Sequence, residues 1–166
     1  MQAPDVLEIL GTLTAAGLRV WLDGGWGVDA LLGEQTRDHQ DVDIVVELDR
    51  IDDAVHAVEK LGFGLVEDYL PTRAVLRLSD GRQIDVHPVT FDAEGTGWQV
   101  GAAPNGADCA YPPDGFGHGR VLESDVPCLT AALQVEHHRG YEPRGRDRSD
   151  MRALADTFGL GLPAPY

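Results

Sequence analysis

Basic residues are scarce in this sequence. Lysine and arginine together number 13 among 166 residues, against 28 aspartates and glutamates, which gives a formal net charge of −15. Proteins that bind polynucleotides gain affinity mainly from basic residues that contact phosphates, so this deficit argues against a nucleic-acid partner. The acidic surface would instead attract a cation.

Cysteines and long apolar runs are also few. Cys109 and Cys128 are the two cysteines, and they have neither metal-ligand spacing nor the number that a disulfide framework needs. No segment approaches the roughly 20 consecutive apolar residues of a membrane-spanning helix. Residues 1–16 lack the basic start and apolar stretch of a signal peptide. We therefore expect a cytoplasmic protein without a membrane partner, and 166 residues fit one domain.

Two aspartates lie two positions apart in a segment with the pattern of a strand. Asp41 and Asp43 alternate with the apolar Val42, Ile44 and Val46. Residues i and i+2 of a strand point to the same side of a sheet, so the two carboxylates would stand together. Their repulsion is relieved by a cation or by a set of donors, and Mg²⁺ is the usual cation because it combines one or two carboxylates with water and substrate phosphates. In an acidic chain the commoner explanation of such a pair is a solvated strand edge.

A third carboxylate joins this pair if two later segments form a hairpin. Residues 73–79 and 83–89 flank Asp80-Gly81, a dipeptide typical of hairpin turns. Asp85 then shares one face of its strand with His87, while its apolar neighbours face the other way. Three acids on neighbouring strands suit two-metal phosphoryl or nucleotidyl transfer, in which one ion activates the attacking hydroxyl and the other holds the leaving pyrophosphate.

A pair of glycines precedes these acids. Gly24-Gly25 lies between a short strand ending at Asp23 and a short helix over 25–32. Without Cβ atoms, the backbone there approaches a ligand closely. Free N–H groups and the positive end of the helix dipole favour a phosphate at this turn.

The order of these motifs resembles the nucleotidyltransferase superfamily that includes DNA polymerase beta. The amino-acid sequence of residues 20–30 and 37–44 is a more specific match. It resembles the small lincosamide nucleotidyltransferases, which inactivate lincomycin and clindamycin. Later segments agree with the same family: 71–73, 84–88 and 138–142, with Asp147 and Asp150 after them. Aminoglycoside 2''-nucleotidyltransferases are more distantly similar through the Gly-Gly-Trp and paired-aspartate pattern.

The resemblance implies transfer of AMP from Mg-ATP, or of another nucleoside monophosphate, to a hydroxyl of a lincosamide, with release of pyrophosphate. Asp41, Asp43 and Asp85 would hold the Mg²⁺ ions, and Asp85 would be a ligand, the general base for the hydroxyl, or both. Gly24 and Gly25 would meet the triphosphate.

Three basic residues also match the family pattern. Arg37 and His39 precede the paired aspartates and would bind phosphate or orient the carboxylates, and Arg73 matches as well. For each of the three, a structural ion pair explains the residue equally well.

The expected fold is α+β: a polymerase beta-like mixed sheet with flanking helices and a small C-terminal helical part. The catalytic sheet and its helices would occupy 1–125, and the C-terminal helices 126–166. Helical spacing predicts one helix that begins after an N-cap at Asp49 and a last helix over 147–158 that buries Phe158.

The acceptor stays open at this stage. Segment 95–119 is rich in Gly, Pro and Ala, departs from the family pattern and carries Trp98, Tyr111 and Phe116. Long loops are where recognition varies, although such aromatics more often anchor a loop to the core. The alternatives are an aminoglycoside acceptor, a protein or tRNA acceptor, and a non-enzymatic metal- or nucleotide-binding domain. A homodimer that shares its active site is also compatible with the resemblance.

Overall fold

The computed structural model describes residues 1–166 as a nine-stranded sheet with five helices. The helices are α1 (Ala3–Ala15), α2 (Gly24–Leu32), α3 (Ile51–Glu59), α4 (Ala131–His137) and α5 (Gly145–Phe158). The strands are β1 (Val20–Asp23), β2 (Asp41–Glu47), β3 (Gly64–Tyr69), β4 (Arg73–Arg77), β5 (Gln83–Phe91), β6 (Gly97–Gln99), β7 (Cys109–Tyr111), β8 (Phe116–Val121) and β9 (Ser124–Leu129). Single 3-10 turns lie at Leu48–Arg50 and Pro113–Gly115.

The main sheet is mixed, as predicted. Its strand order is β3-β4-β5-β2-β1-β9-β8, and β6 and β7 extend it beside the end of β5. The pairs β2–β5 and β1–β9 are parallel, and the other pairs are antiparallel. The predicted hairpin about Asp80-Gly81 is present as β4 and β5. The sheet therefore brings Asp85 beside β2.

One face of the sheet carries the main core. The alternating residues Val42, Ile44 and Val46 of β2 are fully buried there, together with Ile84 and Val86 of β5, and they pack against α1 and α3. Each such aliphatic side chain contributes roughly 1.5–3 kcal/mol when it is withdrawn from water. The face of β2 that carries the aspartates is thereby fixed toward the other side.

Only half of that other face is covered. A smaller apolar cluster lies over the end of β2 and β5, where Val45 and Val89 pack beneath Tyr111, Leu129 and Leu133. The half of the face nearer the start of β2 is left uncovered, and it carries the polar residues of a cleft.

The C-terminal part differs from expectation at its boundary. Residue 126 falls inside β9, which pairs with β1 and β8, so the helical part begins only at Ala131. The last helix buries Met151 and Leu154, but Phe158 is 44% exposed, contrary to prediction. The reason is that the chain turns back after α5, and its tail covers the small cluster in place of Phe158, through Leu160, Leu162 and Tyr166.

The predicted helix start at Asp49 is also wrong. Asp49 lies within the 3-10 turn, and Arg50 occupies the N-cap position of α3 without a capping hydrogen bond from its side chain. The chain already turns before Asp49, so its carboxylate does not reach the first free N–H groups of the helix.

None of the helices is both long enough and apolar enough to cross a membrane.

Candidate active site

Three carboxylates lie at one level across three adjacent strands. Asp43 of β2 stands opposite Asp23 of β1 and opposite Asp85 of β5. All three side chains point to the uncovered face. Because paired residues on neighbouring strands are only about 5 Å apart, their negative charges concentrate on one spot. Asp23 was not anticipated, since the sequence showed it only as the end of a short strand.

An imidazole completes this group. The ligand atoms of Asp43, Asp85 and His87 all lie within 4.8 Å of one another, as the ligands of one divalent cation do. His87 Nε2 is 3.4 Å from Asp43 Oδ1. Its Nδ1 lies 3.1 Å from the amide nitrogen of Gln99. Sequence reasoning placed His87 on the same face as Asp85 but gave it no role.

The charge on His87 depends on the cation. Burial lowers the pKa of His87, but the hydrogen bond to Asp43 and the charges of Asp23, Asp43 and Asp85 outweigh it and raise this pKa to about 9. A proton on His87 therefore compensates the carboxylates when no metal does. A bound cation would take over that role, and the neutral ring would then be free to be a ligand.

Asp41 occupies the neighbouring position, outside this group. It points to the same side as Asp43, but residues two apart along a strand are separated by about 6.5–7 Å, farther than residues on paired strands. Burial and, secondly, the charge of Asp43 raise the pKa of Asp41. A second cation beside the Asp43–Asp85 group would stabilise the charged form of Asp41. The donor set thus fits the metals that the sequence predicted, with His87 added.

Asp85 is held by an arginine. Arg73 Nε and Nη2 donate to the two oxygens of Asp85 at 2.6 Å and 2.5 Å, a bidentate pair. Glu67 lies 3.7 Å from the same guanidinium. The ion pair that the sequence left as an alternative for Arg73 is therefore present, and it fixes the orientation of Asp85. Each carboxylate oxygen retains a further lone pair for a cation or a hydroxyl.

The glycine pair forms the first turn of α2, directly beside Asp43. Gly24 has φ +55°, a value that favours glycine, and a Cβ there would lie 2.2 Å from Asp43 Oδ2. Asp23 Oδ1 accepts a hydrogen bond from Gly24 N at 2.7 Å. The backbone at this helix start is therefore in contact with the carboxylates, where the positive end of the helix dipole favours an anion.

Gly24→Ala is expected to lower nucleotidyl transfer by about 100-fold, because a shift of about 1 Å in a reacting group costs that much. Gly33→Ala is the matched control: Gly33 ends the same helix at φ +76°, but a Cβ there meets nothing within 4 Å. Both variants bear similar backbone strain of roughly 1–2 kcal/mol. Steady-state kinetics beside thermal melts compare them, and equal activity of the two variants would contradict the role of Gly24.

His39 lies in the interior instead of the cleft. Its Nε2 is 2.5 Å from Asp29 Oδ2, both side chains are only 2% exposed, and the ring packs on Trp26. The N-terminal ammonium of Met1 donates to the carbonyl oxygen of His39 at 2.8 Å. The ring therefore cannot reach a phosphate, so the predicted contact with phosphate is replaced by a structural role. A Cβ on Gly25 would lie 2.6 Å from this ring, so His39 supports the glycine turn from behind.

His39→Ala is expected to reduce the free energy of unfolding by about 3–5 kcal/mol, because it leaves Asp29 as an unpaired buried charge. His56→Ala makes the same change at an exposed histidine and is expected to cost under about 0.5 kcal/mol. Urea denaturation of both variants measures the difference. Equal free energies of unfolding for His39→Ala and His56→Ala would show that the Asp29–His39 pair does not stabilise the fold.

Arg37 also forms a structural ion pair, but it keeps partial access to solvent. Its Nη2 lies 2.9 Å from Asp150 of α5, and its side chain is 28% exposed. This pair ties the segment before β2 to the C-terminal helices. A Cβ on Gly25 would lie 2.4 Å from Arg37 Nη2, so the guanidinium also adjoins the glycine turn.

The group opens into a cleft of about 350 Å³. Segment 95–119 supplies part of its wall through Gln99, Gly101, Ala102, Cys109 and Tyr111. The last residue of α4, His137, and its C-cap residue, His138, supply another part. Tyr111 and Phe116 pack in the smaller cluster, and Trp98 is turned away to bond Asp92. The aromatics thus mainly anchor the segment, while its polar and small residues face the cleft. Gln99 in particular carried no signal in the sequence.

The chain is similar to known proteins over most of its length. The family model described as aminoglycoside-2''-adenylyltransferase matches residues 5–154. A lincosamide resistance protein of Staphylococcus haemolyticus is 31% identical over 150 residues, which cover 90% of this chain and 92% of that protein. A 2''-aminoglycoside nucleotidyltransferase of Klebsiella pneumoniae is 31% identical over 121 residues, 73% of this chain and 66% of that one.

A solved structure shows the same fold. The crystal structure of a lincosamide antibiotic adenylyltransferase, lincomycin-bound, superimposes with a TM-score of 0.80 at 28% identity, over 91% of this chain and 94% of that one. The family model covers most of the sequence, and the Klebsiella pneumoniae relative is named a nucleotidyltransferase. The chain belongs to the aminoglycoside-2''-adenylyltransferase family and is a nucleotidyltransferase.

Proposed function

We propose that this chain transfers AMP from Mg-ATP to a hydroxyl of a lincosamide antibiotic and releases pyrophosphate. The observation that carries the proposal is the position of Asp43 opposite Asp85, with His87 completing a cation-sized group and the Gly24 turn in contact with it. Divalent ions at such a site lower the pKa of the attacking hydroxyl and neutralise the charge of the triphosphate.

The residues around the ions have separate tasks in this proposal. Asp43 and Asp85, with His87, hold one ion, and Asp41 with Asp43 holds the other. The start of α2 at Gly24 and Gly25 binds the triphosphate through the N–H group of Gly25 and the helix dipole, because the N–H group of Gly24 already donates to Asp23. Asp85, oriented by Arg73, accepts a hydrogen bond from the acceptor hydroxyl and is placed to take its proton.

Two features support a lincosamide as the acceptor. The lincosamide resistance protein aligns over nearly its whole length, and the lincomycin-bound structure superimposes over nearly the whole of both chains. An aminoglycoside is the second candidate, supported by the description of the family model and by the net charge of −15, which suits an acceptor with several amines.

Pyrophosphate release with Mg-ATP tests the proposal, measured with lincomycin, clindamycin, kanamycin and tobramycin as separate acceptors. Release that requires lincomycin or clindamycin is expected. Release with the aminoglycosides alone would transfer the proposal to the second candidate. Acceptor-independent ATP hydrolysis, or labelling of protein or tRNA instead of any drug, would contradict both.

Divalent ions are expected to stabilise the folded protein through the Asp43–Asp85–His87 group. A hundredfold excess of metal over its Kd adds about 2.7 kcal/mol. Mn²⁺ is expected to bind more tightly than Mg²⁺, because an imidazole nitrogen is a better ligand for the transition metal. Thermal melts with each ion measure this effect in the wild type and in Asp43→Asn, where it should vanish. An equal rise in Tm in both proteins would place the metal elsewhere.

A further inference from the structure

A second cavity of about 530 Å³ adjoins the catalytic cleft, and we call it the outer lobe. Ala102, Cys109 and His137 line both spaces, so the cleft and the outer lobe form one groove. The groove runs between the loop before β7 and the end of α4. Its combined extent is sufficient for a drug-sized molecule, since ligand pockets span roughly 300–1,000 Å³.

The outer lobe lies on the acceptor's side of the carboxylates. Gly24 follows Asp23, so it is level with Val42, toward the start of β2, whereas His87 is paired with Val45, toward the end. The groove continues from His87 through Gln99, which bonds His87 Nδ1 and Tyr111. In phosphoryl transfer the attacking and leaving oxygens are in line. With the triphosphate at Gly24, the acceptor therefore enters from the side of the outer lobe.

The lining of the outer lobe is chemically unlike the catalytic cleft. Small apolar side chains form much of it: Ala102, Ala103, Pro104, Cys109 and Ala110. Of its charged residues, Glu136 and Arg139 are paired with each other, and Asp108 bonds a backbone N–H group. Asp108 Oδ1 accepts from Gly101 N at 2.9 Å, and Glu136 Oε2 lies 2.7 Å from Arg139 Nε. The outer lobe thus offers contact to an apolar group, and Asp108 is its one carboxylate without a cationic partner.

We propose that the outer lobe binds an apolar arm of the acceptor while a sugar hydroxyl of the same molecule reaches Asp85. The inference rests on the proposed function, and it selects a lincosamide over an aminoglycoside as the acceptor. A lincosamide, a sugar joined by an amide to an alkyl-bearing ring, has this two-part chemistry, whereas an aminoglycoside carries amines along its whole length. Ala103 and its neighbours are then specificity-determining residues.

Cys109 reports occupancy of the outer lobe without catalysis. It is half-buried at the junction of the two spaces, and Cys128 is fully buried and is an internal control in the same chain. Burial, and secondly the charge of Asp23, raise the pKa of the Cys109 thiol, so alkylation with iodoacetamide is run at alkaline pH. Lincomycin is expected to slow alkylation of Cys109 at least fivefold, and its sugar half, released by amide hydrolysis, is expected to have no effect. Protection by Mg-ATP alone, or equal protection by tobramycin, would overturn the inference.

Ala103→Phe fills the outer lobe, and Ala107→Phe is the matched control, an exposed position in the same loop outside the lining. Ala103→Phe is expected to lower kcat/KM for lincomycin about tenfold, mainly through KM, while Ala107→Phe leaves it unchanged. If Ala103→Phe does not change adduct formation with lincomycin, the acceptor does not bind in the outer lobe, but the proposed function is still supported. Protection of Cys109 by lincomycin without any adduct would support the outer lobe and refute the proposed function.

Discussion

Asp43→Asn is expected to abolish detectable transfer, lowering kcat/KM on the order of 1,000-fold or more, because removing one element of preorganised charge stabilisation costs about that much. Asp43 faces Asp23 and Asp85, is in contact with His87 and borders Gly24. The asparagine keeps the shape of the side chain and loses the charge that binds a cation. Pyrophosphate release at saturating Mg-ATP measures the loss.

The fold should survive this substitution. In metal-free buffer, relief of repulsion between Asp43 and its acidic neighbours offsets the lost contact with His87, so the free energy of unfolding should change by less than about 1 kcal/mol. Asp52→Asn, at an exposed site on α3, is the control for an isosteric loss of one negative charge. If the activity of Asp43→Asn is within tenfold of that control, Asp43 is not a catalytic residue.

Asp85→Asn is expected to have a comparable effect, of about 1,000-fold, and to act on kcat more than on the KM for ATP. The physical reason is position: Asp85 is on β5, separated by β2 from the glycine turn that follows β1. In the proposed mechanism the substitution removes a metal ligand and the proton acceptor together, and it leaves Arg73 without its bidentate partner. Single-turnover measurements with bound ATP separate the two kinetic constants.

Arg73→Lys tests how Asp85 is oriented. A lysine keeps the charge but loses the planar pair of donors, so a loss of roughly tenfold to 100-fold is expected. In the double variant Arg73→Lys/Asp85→Asn, the two losses of activity should not add, because both substitutions act through the Asp85 carboxylate. Full additivity, or an Asp85→Asn enzyme with more than a tenth of normal activity, would contradict this account of β5.

Strand pattern was sufficient to predict the carboxylate-bearing face. Alternation of apolar and acidic residues in 41–46 and 84–87 fixes which side chains share a side, and Asp80-Gly81 marks the hairpin that the structure contains. Register was not predictable in the same way. It is the pairing of Asp43 with Asp85 that brings His87 into the metal-sized group and leaves Asp41 beside it.

The roles of Arg37 and His39 depend on partners that no local pattern reveals. Arg37 pairs with Asp150, 113 positions away, and His39 pairs with Asp29 on the buried side of α2. From motif position, both residues were expected to bind phosphate or to orient the carboxylates, with a structural ion pair as the alternative. Burial, which depends on the packing of the whole chain, keeps His39 away from the cleft.

The wall of the groove was least accessible to sequence reasoning. Segment 95–119 has weak strand patterns, and the short strands β6 and β7 form only because β5 extends beyond its pairing with β4. Pro127 lacks a backbone N–H donor and is therefore unusual inside a strand. It obscures the strand pattern of β9, whose residues from 126 onward were assigned to the C-terminal helical part.

The mass of lincomycin recovered after incubation with the protein, ATP and Mg²⁺ tests the central claim most directly. We predict a product heavier by one AMP, formed with one pyrophosphate released, present with the wild type and missing with Asp43→Asn. Unmodified lincomycin after prolonged incubation, from a protein that is folded and binds ATP, would contradict the claim that this site adenylylates a lincosamide.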